Sequence, residues 1–420
     1  MKRDERARRY GACLIFGCAS VLPAARGHAD WETIPDITLE AEMNDNPALR
    51  SGADAQFLDE GSRLIADVMM RFRNAEPRGE LTFEPRVRQD AYAEDEAQVL
   101  ESTDLFLRSN GVLRGQTVRI GYSSDIAKER ILGVEFLDVL PEDPLADDTT
   151  EIATNPVGLN EERTRFGVSP YVDIELNSRS TIVLDGRIVD VDYQADTLTG
   201  RSDFLDREIG GEYRHALRGQ RGTLGVRPFA TGYEAELNNN VTDTRGMEIS
   251  YERAASELWS WRIMGGVQRA DFALTSEGRR IRGSDDTPIW AIGLTKRAER
   301  SAMRTEIARR VSPDAAGFVA ARDELRMSWT RMMSPRVSGR FDLRAIDSEG
   351  VNQVQGTDRQ YGRAELGLDW QLRPTWSFVA RYAYARSSSS TTIDDTADSN
   401  TVTLGIRYHG RSMRPGTLDE

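Results

Sequence analysis

The chain has 420 residues, of which 39% are hydrophobic, with a formal net charge of −13 and a mean hydropathy of −0.53. A chain this acidic is a poor nucleic-acid binder, and beyond its N-terminus it has no apolar run of transmembrane-helix length. Its two cysteines, Cys13 and Cys18, both fall in the leader, which excludes a disulfide framework or thiolate metal site downstream.

The first ten residues, MKRDERARRY, are strongly charged, and the apolar run GACLIFGCASVLPAA follows. Gly27 and Ala29 then supply small residues at the −3 and −1 positions of a cleavage site. This is the order of a secretory signal peptide, and it predicts removal of residues 1–29, leaving 30–420 as one exported domain. Ile15-Phe16-Gly17-Cys18 loosely resembles a lipoprotein box, but Phe16 fits it poorly and the apolar run before Cys18 is very short.

Beyond the leader the pattern has period two. The first predicted strand, DITLEAEM, puts Ile37, Leu39, Ala41 and Met43 on one face and Thr38, Glu40 and Glu42 on the other, and ends in the turn signal Asn44-Asp45-Asn46-Pro47. ADVMMRFR then pairs with GELTFEPRVRQ, where Pro85 predicts a bulge or local irregularity. STDLFLRS and QTVRIGYSS are joined through NGVLRG, and an acidic loop over residues 138–162 follows. RFGVSPYVDIEL turns at NSRS into TIVLDGRIVDVDY, whose apolar parity slips between Ile182/Leu184 and Val189/Val191, predicting a bulge near Gly186 or a different register. Further pairs join through RGQRG, AASEL, RAER and MSPR. AMRTEIARRV is the one ambiguous stretch; its place in the series favours strand over helix. The last three strands include WSFVARYAYA and NTVTLGIRYHG, with Val402, Leu404, Ile406 and Tyr408 on one face.

About eighteen strands result, with short and long connections alternating. That architecture is an all-β, transmembrane, antiparallel up-and-down β-barrel with short periplasmic turns, long extracellular loops and both termini periplasmic. Negative mean hydropathy suits it, because lipid-facing and lumen-facing residues alternate. Trp259, Trp261, Trp290, Trp370 and Trp376 fall near strand ends, as interfacial girdles require. Closure demands that residues 400–410 pair with residues 36–43, with Thr403 and Leu39 on adjacent strands.

An exported acidic chain with the Asn44-Asp45-Asn46-Pro47 turn and hairpins running to its C-terminus resembles the β-barrel porin type 2 family. It is also similar to barrels encoded with exopolysaccharide export systems of Gram-negative bacteria. The resemblance covers nearly the whole mature chain. It implies an outer-membrane barrel and, for some members, polysaccharide secretion; no catalytic residues come with it. The last strand departs from the usual assembly signal, since Gly410 stands where a terminal aromatic is expected.

For chemistry, the mature chain offers only His215 and His409, and no nucleophile-elbow, zinc-protease or phosphate-loop motif. The reading is therefore a non-enzyme without metal or cofactor. Lysine occurs only at Lys2, Lys128 and Lys296, so nearly every basic residue is arginine. Alternation places Arg71, Arg73, Arg86, Arg88, Arg119, Arg262, Arg326, Arg340, Arg344, Arg363, Arg381 and Arg407 on the lumen face, interspersed with carboxylates. Such arginines either pair structurally or offer forks to anionic groups on a passing solute. The expected function is a channel for polysaccharide or another polar solute. The alternatives are a plugged structural or adhesin barrel, or a barrel hydrolase acting on lipid or glycan. The expected partners are outer-membrane lipid and lipopolysaccharide, the barrel-assembly machinery, periplasmic chaperones and polysaccharide export components. The long loops read as solvated, with ion bridging to lipopolysaccharide as the alternative.

Overall fold

Alternating side chains with one apolar row per strand leave a single low-energy arrangement in lipid, a sheet closed on itself with no free edge. The computed structural model of the chain has that form. It describes residues 31–47, 49, 61–92, 102–131, 135–139, 150–154, 161–194, 202–217, 222–236, 239–276, 279–313, 319–350, 359–389 and 395–410. The expected signal peptide, residues 1–29, the stretch after residue 410 and most of the acidic loop lie outside the described residues.

The barrel strands are β1 (Trp31–Asn44), β2 (Gly61–Glu76), β3 (Gly79–Tyr92), β4 (Ser102–Arg114), β5 (Val118–Ile131), β8 (Glu161–Asn177) and β9 (Ser180–Gln194). They continue with β10 (Phe204–Ala216), β11 (Gly222–Ala235), β12 (Asn240–Ala254), β13 (Trp259–Ser276), β14 (Arg279–Ala298) and β15 (Ser301–Pro313). The last are β16 (Val319–Ser334), β17 (Val337–Gly350), β18 (Arg359–Arg373), β19 (Trp376–Ser389) and β20 (Asp395–His409). Each pairs antiparallel with its neighbours, and β20 returns to β1, giving one closed sheet of 18 strands. β6 (Glu135–Val139) and β7 (Thr150–Thr154) form a separate small hairpin within the acidic segment, where no strand was expected.

The closing seam has the expected partners: Leu39 lies opposite Ile406, and Thr403 opposite Glu42. At its loop end the Asn-Asp-Asn turn is stitched to β20. Asn400 donates its backbone N–H and side-chain amide to the Asp45 carboxylate (2.6 and 2.7 Å), and Ser399 Oγ donates to Asn44 Oδ1 (2.8 Å). At the other end Gly410 N–H donates to Pro35 O (2.7 Å). A Cβ on Gly410 would collide with the Pro35 ring, so the missing terminal aromatic has a steric reason.

All eight connections of one end are short, and both described chain ends lie at that end. The other end carries the long loops, but four of its links are no longer than the short ones, at 236–239, 277–278, 314–318 and 390–394. There β13 and β14 run on as a long hairpin, consuming residues that elsewhere belong to loop.

Leu39, Met43, Val68, Ile120, Ile209, Ile249, Val267, Ile292, Leu366 and Leu404 are all exposed on the outward face, an apolar belt suited only to lipid. Aromatics border it at the short-turn end, where Tyr251 packs on Trp261 and Trp376 on Tyr408, and Lys296 lies 5.0 Å from the Trp259 ring. At the loop end of the belt, Tyr382 and Tyr384 donate to Asn400 and Asp398. Among the described residues no helix is long and apolar enough to cross a membrane.

Two expected irregularities resolve differently. Around Pro85 the β2–β3 alignment is unchanged, Met69 opposite Arg86 and Phe72 opposite Phe83, with only the two intervening pairs lost. Near Gly186 there is no bulge: β9 keeps one register with β10 from Ser180 to Val191. Ile182, Leu184 and Ile188 face lipid. Farther toward the loops the exposed residues are Asp190 and Asp192, while Val191 and Tyr193 are buried inside. The apolar parity inverts because the strand leaves the membrane and its inner face becomes the dry one.

Candidate functional site: the charged lumen and its mouth

The ladder places all twelve candidate arginines on the face opposite the lipid belt. It also brings carboxylates to them. Arg71 pairs with Glu84 and Arg86 with Asp67. Arg73 reaches Glu80 at 2.8 Å, Arg88 reaches Asp90 at 2.9 Å and Arg119 reaches Asp173 at 2.6 Å. Glu324 receives both Arg326 (2.5 Å) and Arg344 (3.0 Å). Arg340 pairs with Asp342 at 2.5 Å, Arg363 with Glu365 at 2.7 Å, and Arg407 with Asp36 at 3.1 Å. Arg381 pairs with Glu40 across the seam, and Arg262 stands opposite Glu252. The arginines are thus not a row of isolated forks, since each is embedded in a lattice of opposite charge.

That lattice is not symmetric toward the water. The Arg119 side chain is 53% exposed while Asp173 is 16%; for Arg71 and Glu84 the values are 42% and 13%, and for Arg381 and Glu40, 39% and 11%. In these pairs the short carboxylate lies against the wall and the longer guanidinium lies over it; in Arg227–Asp185 (20% and 31%) and Arg163–Glu129 (4% and 22%) the order is reversed. The lumen therefore presents cationic, planar donor groups although its total charge is nearly balanced. Some lie over lumen aromatics: Arg86 Cζ sits 5.2 Å from the centre of the Phe106 ring and Arg119 Cζ 5.4 Å from that of Tyr171.

Reaching the second strand over requires room, and glycine supplies it. Arg227 of β11 donates to Asp185 of β9 (2.7 Å) as well as to Glu208 of β10 (2.6 Å). Its guanidinium crosses β10 above Gly210, where a Cβ would stand 2.6 Å from Nη2. The Arg381–Glu40 pair crosses β20 above Gly405, where a Cβ would stand 2.7 Å from Glu40 Cγ. The sequence reading missed Arg227, Asp185 and Glu208; an inward-parity glycine flanked by charged strands is the signal that would have found them.

Toward the loops the ion pairs sink out of water. Arg163–Glu129 and Arg165–Asp125, both at 2.5 Å, bring arginines that are nearly inaccessible. Here the wall also splits. β13 and β14 stay paired for eighteen rows, but β14 and β15 for only nine, ending at Trp290 opposite Arg309. β15 and β16 continue together to Pro313 opposite Val319, and β16 with β17 to Ala320 opposite Gly350. Residues 319–322 are buried in succession, covered on both faces, whereas the loop ends of β12 and β20 alternate buried and exposed. Val319 joins a cluster with Val191, Tyr193, Phe204, Tyr233 and Ala235 from β9–β11, and Val311 packs against it. The β15–β16 edge has turned inside the barrel, so its outward-parity valines meet the inner face of β9–β11.

Neither histidine forms a nucleophile–base–acid set. His215 faces outward, where its Nδ1 lies 3.0 Å from Ser180 Oγ, but Ser180 is buried and, among the described residues, no carboxylate meets the ring. His409 faces the lumen and shares Asp36 with Arg407. Among the described residues no group of three or more His, Cys, Asp or Glu is arranged to hold a metal.

No protein-family model and no curated protein matches the sequence. Among solved structures, Pseudomonas aeruginosa OpdK with vanillate aligns at a TM-score of 0.44 with 10% identity, over 91% of this chain and 99% of that one. Pseudomonas aeruginosa OccK2 (OpdF) gives 0.46 and 9%, over 90% and 98%. Acinetobacter baumannii OccAB4 gives 0.44 and 9%, over 91% and 98%.

Proposed function

We propose that this barrel is an outer-membrane channel for small anionic solutes, with its short-turn end and both termini in the periplasm. The observation that carries the reading is the depth order of the lumen pairs, guanidinium toward water and carboxylate toward the wall. A permeating carboxylate, phosphate or sulfate meets donors first, each weakened by its own counter-ion. Weak, repeated sites of that kind allow both entry and exit. Polysaccharide is the larger solute that the resemblance suggests, and the inturned β15–β16 edge weighs against a polymer chain. The same edge favours a second reading, a structural barrel whose mouth stays shut.

Planar-bilayer recording with refolded protein tests the proposal. A potassium chloride gradient should give a reversal potential on the anion-selective side. A cation-selective or unselective pore would sink the anion reading, and absence of any current would favour the closed barrel.

A further inference from the structure

The β14–β15 pairing, like the β1–β20 seam, is only nine rows long, but here both strands run on toward the loops after they part, β14 through residues 279–289 and β15 through residues 310–313. The split leaves two short lengths of ladder edge facing each other at the loop end, beyond Trp290 on β14 and beyond Arg309 on β15. An open edge in a barrel is a liability unless something covers it. Here the β15 side is covered by turning inward, and what holds it there is apolar: Val311 and Val319 against Tyr193, Phe204 and Tyr233. This is the larger of two apolar clusters on the inner face among the described residues. The other, Leu49, Ile346, Tyr361 and Ala397, joins only neighbouring strands and the turn after β1, whereas this one joins opposite sides of the barrel. Such contacts are non-directional, so they hold the edge in place without a register of hydrogen bonds to break.

We propose that the inturned β15–β16 edge is the size-determining constriction of the pore, with Val319 and the aromatic pair Phe204 and Tyr233 as the residues that set it. This rests on the reading that the lumen conducts. The arginine lattice then governs the charge of the solute, and the apolar seal governs its bulk. The two properties separate by residue: the seal carries no charge, and no lumen arginine belongs to the seal.

The test uses the full-length mature protein refolded into bilayers, with barrel formation checked by heat-modifiable migration. Val319→Asp places an unpaired carboxylate in the seal and should raise single-channel conductance severalfold. It should also admit larger neutral sugars in liposome swelling, while the reversal potential keeps its sign. Double variants pairing Val319→Cys with Tyr233→Cys or Ala235→Cys, treated with a short thiol cross-linker, should hold conductance at the parent level or below, and a cleavable cross-linker should make this reversible. If the parent conducts and V319D leaves both conductance and sugar cut-off unchanged, the constriction is elsewhere. Failure of both double variants to cross-link would mean that the edge does not sit where the proposal needs it. If neither parent nor V319D conducts, the channel reading itself fails, a result distinct from the other two.

Discussion

A guanidinium that crosses one strand to reach the next is only as secure as the gap it crosses. Gly210 is that gap for Arg227, and its replacement by leucine would push the guanidinium off both Asp185 and Glu208. Breaking a half-buried pair of this kind leaves two carboxylates facing each other without their cation. We expect Gly210→Leu to cost about 1–3 kcal/mol of barrel stability, in the range of overpacking. Gly211, one residue on, points to the lipid side, and its Cβ would press only on the flexible end of the Leu184 side chain, 3.2 Å away, which can turn aside into lipid. Gly211→Ala should therefore cost well under half as much. Urea unfolding of the two variants in the same lipid vesicles checks this, and equal losses would show that the crossing is not what Gly210 serves. At this scale the sequence was partly legible. Arg-x-Asp and Arg-x-Glu spacings, as in Arg340/Asp342, Arg363/Glu365 and Arg88/Asp90, put both charges on one face of one strand, and they do pair. Arg227–Asp185 was legible only through the inward-parity Gly210 between them, because its partners lie 42 residues apart and meet only once three strands are in register.

Along a single strand, environment changes with height. On β20, Val402, Leu404 and Ile406 are roughly half exposed to the lipid side, whereas Thr403 between them is buried against Glu42. Leu404→Arg should therefore cost about 2–4 kcal/mol, the range for a cation at the bilayer midplane of such barrels. Arginine at Asp398, on the same outward parity but at the height of the loops, should cost less than about 1 kcal/mol. Vesicle unfolding midpoints would show the difference, and equal costs would mean that the belt does not end below Asp398. The same gradient explains where sequence reading faltered. In β9 the apolar residues change face between Leu184 and Val191, which looks like a register slip if one rule is applied to the whole strand. The register does not slip: it is continuous with β10 and regained with β8 after two lost pairs opposite Ser169 and Pro170; only the solvent on each side has changed. The β14–β15 split was invisible for another reason. SAMRTEIARRVSP is ambiguous between strand and helix, alternates as a strand only as far as Ala308, and says nothing about whether a neighbour is present beyond it. The closing turn is a case where local sequence sufficed. Asp45 accepts from both the backbone and the side chain of Asn400, so Asp45→Ala should loosen the seam at its loop end, lowering the temperature at which the folded gel form converts to the extended one.

For the whole molecule, the question is how an acidic protein with a nearly balanced lumen could select anions. The answer lies in depth rather than net charge: in pairs such as Arg71–Glu84, Arg119–Asp173 and Arg381–Glu40 the wall carboxylate is screened by the guanidinium above it, so an ion beside them meets the cationic end first. This makes a signed prediction. Changing Arg71, Arg119 and Arg381 together to glutamine uncovers Glu84, Asp173 and Glu40 and removes their partners, so the reversal potential should move toward, and through, zero to the cation side. Changing the three carboxylates to Gln, Asn and Gln instead leaves the guanidinium groups in place and should make the pore more anion-selective. Mere disturbance of the lattice would move both triple variants the same way, so opposite shifts are the decisive feature. Both shifts should shrink as salt rises from about 0.1 M to 1 M, where the screening length falls from about 10 Å to about 3 Å and each pair acts only on ions passing beside it. A selectivity that ignored salt would have to come from the geometry of the mouth, and the seal around Val319 would then set charge as well as size.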